Sequence, residues 1–128
     1  MLNFNSILLS TEDVNKLSSF YEKVFEKKPE MEDENYKGFL VGSCFLSIGF
    51  HDKIHGKAKD ADRILFNFET KDVKEEFERI KKIEGVEIIK EPYAPAEGFL
   101  IATLADPDGN YFQLITPWDA GEEEKQLN

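Results

Sequence analysis

Two kinds of side chain in this sequence have the chemistry for a metal-binding or nucleophilic role. His51 and His55 lie four residues apart, a spacing that turns two imidazoles toward one metal ion when the segment is helical. Cys44 is the single cysteine, so an intrachain disulfide is excluded and the thiol is either reactive or simply packed. Each has a plain alternative. Gly49 and Gly56 flank the histidines, so the segment reads as a solvated loop pair, or at most an adventitious surface metal site. Cys44 sits in Val41-Gly42-Ser43-Cys44-Phe45-Leu46, a strand-like run with no base nearby, and reads as a small core residue.

The elements that must position any site are legible from hydrophobic period. Val14, Leu17, Tyr21 and Val24 recur at helical spacing, with Phe20 and Phe25 widening the stripe, and predict a helix over 12–25. Ser10 or Thr11 is placed to cap it, and Asp13 falls in the first turn, where the helix dipole favours an anion. Val73, Phe77 and Ile80 predict a second helix over 72–83, with Asp72 and Glu75 at capping-box spacing. Short apolar runs predict strands at 4–9, 38–41, 45–48, 64–68, 86–89, 98–102 and 111–115. Tyr36 and Tyr93 fall in loop-like stretches from which either ring could lean over a site on the strands.

The chain repeats itself. Asp13-Val14 recurs as Asp72-Val73 and Gly38-Phe39-Leu40 as Gly98-Phe99-Leu100, at nearly one offset, which marks an internal duplication. Each half is a βαβββ unit. The expected division is a first module over 1–56, a second over 57–119, and an acidic tail over 120–128 that frays. Neither module has enough core to stand alone. They must bury a common surface, within one chain or across a dimer.

Of 128 residues, Asp and Glu supply 26 and Lys and Arg 16, a formal net charge of −10. That balance argues against nucleic acid or an anionic membrane as partner, because phosphate binding needs surplus cations. The hydrophobic fraction of 41% is too high for a disordered acidic chain. The N-terminal stretch has no basic region followed by an apolar run, and no segment approaches the ~20 apolar residues that cross a bilayer. A cytoplasmic location is the expectation.

Two runs carry a family resemblance. Leu8-Leu9-Ser10-Thr11-Glu12-Asp13-Val14 followed by Phe20-Tyr21-Glu22-Lys23-Val24-Phe25, and Ala105-Asp106-Pro107-Asp108-Gly109-Asn110 followed by Tyr111-Phe112-Gln113-Leu114, resemble the vicinal oxygen chelate superfamily. The glyoxalases, bleomycin-resistance proteins and extradiol dioxygenases belong to it. The turn chemistry agrees, since Pro107 suits the second position of a tight turn and Gly109 and Asn110 tolerate positive φ. The resemblance implies an α+β fold of two βαβββ modules whose curved mixed sheets enclose a shared cleft. In the enzymes, His and Glu side chains on the strands hold a divalent metal there. Carried onto this sequence, the ligand positions fall at Ser6, Ser47, Leu65 and Gln113. A catalytic metal needs about three imidazole or anionic ligands and an open position, so no metal and no cofactor is expected.

Strand alternation extends the implied lining. Residues in phase with those four positions are Leu8, Phe45, Asn67, Glu69, Tyr111 and Ile115. Trp118 is expected to cap the mouth. The surface is mostly apolar and aromatic, which suits a small organic molecule. The alternative is that these side chains only pack sheet to sheet and that Glu69 is a solvated strand end. Three functions follow. One is metal-free sequestration of an organic ligand, which the acidic balance would make cationic. The second is a glyoxalase-type enzyme with an atypical site. The third is an accessory domain with a vestigial cleft. A homodimer is expected in each case.

Overall fold

The computed structural model of the chain describes residues 1–117. The chain divides into two compact units, Met1–Ala58 and Lys59–Asn128. The first runs β1 (Ser6–Thr11), α1 (Val14–Phe25), β2 (Met31–Asp33), β3 (Tyr36–Val41) and β4 (Cys44–Phe50). The second opens with a single 3-10 turn at Ala61–Arg63. It continues through β5 (Phe66–Glu69), α2 (Val73–Ile80), β6 (Glu87–Ala96), β7 (Phe99–Ala105) and β8 (Tyr111–Ile115). Each unit is βαβββ, and the fold is α+β.

Each unit has one mixed four-stranded sheet, in the orders β1-β4-β3-β2 and β5-β8-β7-β6. The first strand pairs in parallel with the last, and the rest are antiparallel. A parallel pair needs a crossover, and the helix of each unit lies in that connection. It packs its apolar stripe on one sheet face and does not cover the other. In the first unit Leu17 and Tyr21 on α1, and Phe39 and Ile48 on the sheet, are fully buried. The ring of Tyr21 stacks on Phe25 at 5.4 Å, and Phe25 meets Phe39 edge-on at 5.4 Å. In the second unit Val73, Phe77 and Ile80 on α2 and Leu104 and Phe112 on the sheet do the same.

The caps differ from the predicted ones. Asp13 itself is the N-cap of α1, and its Oδ1 accepts from the backbone N–H of Lys16 at 3.0 Å. Thr11, fully buried, accepts from the Asp13 N–H at 3.1 Å, so it ties the strand end to the cap without being the cap. Asp72 precedes α2 but makes no side-chain cap bond, despite its spacing to Glu75. There Thr70 Oγ1 accepts from the Asp72 N–H at 3.2 Å.

Tyr36 and Tyr93 are strand residues, not loop residues. β6 continues through Pro92 and Pro95, which is possible because it is the sheet edge and three register shifts interrupt its pairing with β7. The strand repeat is also displaced from the expected one. Leu8 pairs with Ser47 and Gly38 with Ser47, while Asn67 pairs with Gln113 and Thr103 with Gln113. The counterpart of Gly38 is therefore Thr103, not Gly98. Gly98 sits in the β6–β7 turn with φ +76°, a left-handed conformation that favours glycine.

Candidate functional site

The predicted lining residues that lie on described strands fall on the sheet face away from the helix of their own unit. In the first unit Ser6, Leu8, Phe45 and Ser47 share the face away from α1. Ser6 pairs with Phe45 and Leu8 with Ser47 across the parallel strands. Antiparallel partners share a face, so β3 adds Tyr36, Gly38 and Leu40, and β2 adds Met31 and Asp33. Of these five only Tyr36 is anticipated, as a loop residue leaning over the cleft and not as a strand residue; the other four are not. The signal that could have found them is Gly38, because a glycine inside an apolar strand marks a close approach.

That close approach is visible. A Cβ built on Gly38 would lie 2.5 Å from both Cε1 and Cζ of Phe45 and 3.4 Å from Cε1 of Tyr36. The tip of the Phe45 ring therefore leans over Gly38 and fills the space a side chain there would need. Gly49 has a milder neighbour, Leu8, whose Cδ1 would be 3.3 Å from an added Cβ, close but not overlapping. Beside the rings, Tyr36 Oη and Ser47 Oγ are 2.7 Å apart, and either can donate. Leu8 is 61% exposed, Leu40 49% and Met31 55%, so the face shows apolar surface, while Ser47 and Gly38 on it are buried and Phe45 and Tyr36 half-buried. Its strand residues carry one formal charge, Asp33. Lys37 alternates to the other face, where it pairs with Glu32 at 2.8 Å.

In the second unit Asn67, Glu69, Tyr111, Gln113 and Ile115 share the face away from α2, with Leu65 just before β5. Gln113 Nε2 donates to Thr103 Oγ1 at 3.1 Å. Glu69 is exposed and pairs in register with Ile115, which is buried. Tyr111 is half-buried opposite Ala105. β6 adds Lys90 and Tyr93 to this face, the ammonium 4.3 Å from the ring centroid. Trp118 lies outside the described residues.

The histidines do not converge. His51 Nδ1 accepts from the Lys53 N–H at 3.1 Å. His55 Nδ1 is 2.9 Å from Glu12 Oε2, and the Gly56 N–H donates to Glu12 Oε1 at 3.2 Å. These bonds, the His55 one first, hold the Glu12 carboxyl below its ordinary value. The pair ties the connecting segment to the end of β1. Among the described residues no group of three His, Cys, Asp or Glu side chains is placed to share a metal ion. Cys44 begins β4 half-buried, its Sγ directed at the Phe45 carbonyl at 3.9 Å.

The Asp106–Asn110 turn is a structural device. Asp106 is 2% exposed, and its Oδ1 accepts from the N–H groups of Asp108 at 2.9 Å and Asn110 at 3.0 Å. The Asn110 side-chain amide donates to both carboxylate oxygens, at 3.3 and 3.0 Å. The motif uses its carboxylate to close a turn between β7 and β8.

Residues 4–117 match the Glyoxalase-like domain family. The chain belongs to that family, and with it to the vicinal oxygen chelate superfamily. This glyoxalase-like chain is similar in structure to a glyoxalase-related enzyme from Fulvimarina pelagi, with 16% identity and a TM-score of 0.74 over 91% of this chain and 89% of that one. A glyoxalase/bleomycin resistance protein/dioxygenase family enzyme from Burkholderia phytofirmans PsJN gives 21% and 0.73 over 90% and 98%. The fosfomycin resistance protein FosX from Listeria monocytogenes gives 24% and 0.70 over 91% and 94%. At these identities the likeness is one of fold. Among curated proteins, 106 residues are 30% identical to a glutamyl-tRNA(Gln) amidotransferase subunit of Maridesulfovibrio salexigens, 82% of this chain and 19% of that protein. The glyoxalase-like chain thus spans about a fifth of that relative's length. No helix among its described residues is long and apolar enough to cross a membrane.

Proposed function

We propose that this chain captures a small organic molecule on an open sheet face without using a metal. The donor set carries the reading. The positions where the family resemblance places metal ligands hold Ser6, Ser47, Leu65 and Gln113. Their polar atoms are engaged locally. Ser6 Oγ donates to Asn5 at 2.9 Å, Ser47 bonds Tyr36, and Gln113 bonds Thr103. Neutral hydroxyls and an amide are poor ligands for a divalent ion, and leucine is none. The set does not fit a catalytic metal, and no step is routed through one. Exposed apolar side chains beside a few hydrogen-bonding groups suit a small molecule. Names such as bleomycin resistance and fosfomycin resistance among the structural neighbours make a drug-like ligand a reasonable first candidate, and a homodimer is the assembly we propose for it.

The test is the melting temperature of metal-stripped protein, first with Ni, Zn, Mn and Fe(II), then with a panel of organic ligands that includes bleomycin. We expect no metal response beyond the weak one of surface imidazoles, and a response to at least one organic ligand. Stoichiometric metal binding that survives replacement of His51 and His55 would overturn the reading.

A second reading has its own support. The match to a fifth of a longer amidotransferase chain is what an accessory module joined to a catalytic protein would give. In that reading the sheet faces serve assembly, and the ligand panel gives no response.

A further inference from the structure

We infer that the open face of the first sheet is a flat shelf that selects a planar aromatic cation. This rests on the small-molecule reading above and narrows it to a chemical class. Flatness is built by glycine. An ordinary strand pair stands its side chains off the sheet, but Gly38 leaves no Cβ where the tip of the Phe45 ring lies, and Gly49 lets Leu8 come close. The Phe45 ring can therefore lean along the backbone. The Tyr36 ring borders the same vacancy over Gly38. Two aromatic rings that meet over Gly38 offer stacking surface whose π faces attract positive charge.

The charge on this face has one sign. Asp33 pairs in register with Tyr36, and no Lys or Arg falls on the same face of β1, β2, β3 or β4. Lys27, which reaches the strand at the Leu40 carbonyl, is paired with Glu30. A carboxylate at the rim and no competing cation favour a cationic over an anionic guest. The half-buried Tyr36 hydroxyl, backed by the buried Ser47, can reorient to donate to or accept from a ring substituent, which gives the shelf a polar reading head.

The test uses the full chain and proflavine, a planar aromatic cation, followed by fluorescence anisotropy at ~0.15 M salt to suppress loose association with surface acids. Fluorescein serves as the planar anion and tetraethylammonium as the non-planar cation. We expect saturable proflavine binding at one per chain, no fluorescein binding and no displacement by tetraethylammonium. Gly38→Ala and Phe45→Leu should each weaken proflavine about tenfold, from loss of stacking and cation–π contact. Asp33→Asn should weaken it about threefold, with an unchanged melting temperature. Should Gly38→Ala fail to fold, Phe45→Leu carries the test, since it adds no atoms beside the sheet. Equal binding of fluorescein, or wild-type affinity in Phe45→Leu, overturns the shelf. If another panel ligand binds and proflavine does not, the shelf is wrong while small-molecule capture stands. If nothing in the panel binds, small-molecule capture fails as well.

Discussion

Replacing Asp106 by alanine removes the acceptor around which the β7–β8 turn is built. Two backbone N–H groups and one side-chain amide donate to this carboxylate, all within 3.3 Å. Hydrogen bonds to a charged group contribute ~1.5–3 kcal/mol each, and a buried donor left unmet costs ~1–3 kcal/mol. The contacts form one network, so their values do not add in full. We expect Asp106→Ala to lower stability by about 3–4 kcal/mol, a large share of the ~5–15 kcal/mol typical of small domains. Asp106→Asn keeps a carbonyl oxygen for the two backbone donors, and the Asn110 amide can flip to present its own oxygen. It should lose only about 1–2 kcal/mol. Urea unfolding followed by circular dichroism measures both, with an unchanged slope showing that the unfolded state is comparable. Amide exchange across 111–115 should report local loosening. If Asp106→Ala costs under about 0.5 kcal/mol, or if the two variants are equally damaging, the acceptor argument is wrong.

Two further outcomes are expected. Glu26, which ends α1, is the only non-glycine residue with positive φ among the described residues, at +56°. Glu26→Gly should raise stability by about 0.5–1 kcal/mol in a thermal or urea melt, because glycine adopts the left-handed cap without the Cβ penalty. The Arg79 hydrogen bond holds the Glu76 carboxyl below its ordinary value. Folded Glu76 therefore binds fewer protons than unfolded Glu76 at acidic pH. Its contribution is full above the ordinary carboxylate range and fades as pH falls through the lowered folded value. Both side chains are about a third exposed, so solvent screens the pair and the effect should stay under about 0.5 kcal/mol. Stability measured across pH 3–7 should have a shallower acid limb in Glu76→Gln.

Where side chains repeat with a helical or strand period, the sequence was readable. The stripe from Val14 to Val24 and the triplet Val73, Phe77 and Ile80 are buried against their sheets because burying one apolar face is what makes such segments helices. The alternation of β1 and β8 likewise divides Ser6, Leu8, Tyr111 and Gln113 from Leu9 and Leu114. Single-residue roles were harder. Whether Thr11 or Asp13 caps α1 depends on a bond between neighbours that period does not encode. Pro92 and Pro95 speak against a strand unless the strand is known to be an edge. Gly38-Phe39-Leu40 and Gly98-Phe99-Leu100 look alike in letters but do opposite work, one making room for a ring and the other turning a hairpin. Much of the shelf around Gly38 was invisible because its neighbours come from β2 and β3, which sequence separates from β1.

The unequal spacing of the two units has a use beyond their comparison. Leu8 corresponds to Asn67 at an offset of 59, but Gly38 corresponds to Thr103 at 65. The surplus residues lie between the start of α2 and β7, where the register shifts of β6 take up slack. The β7–β8–β5 pairing, which aligns Thr103, Gln113 and Asn67, never sees the added length. The edge strand behaves as an expansion joint. For protein engineering it is the natural place to graft a loop or a reporter peptide, since added length there can be absorbed before it reaches the inner strands.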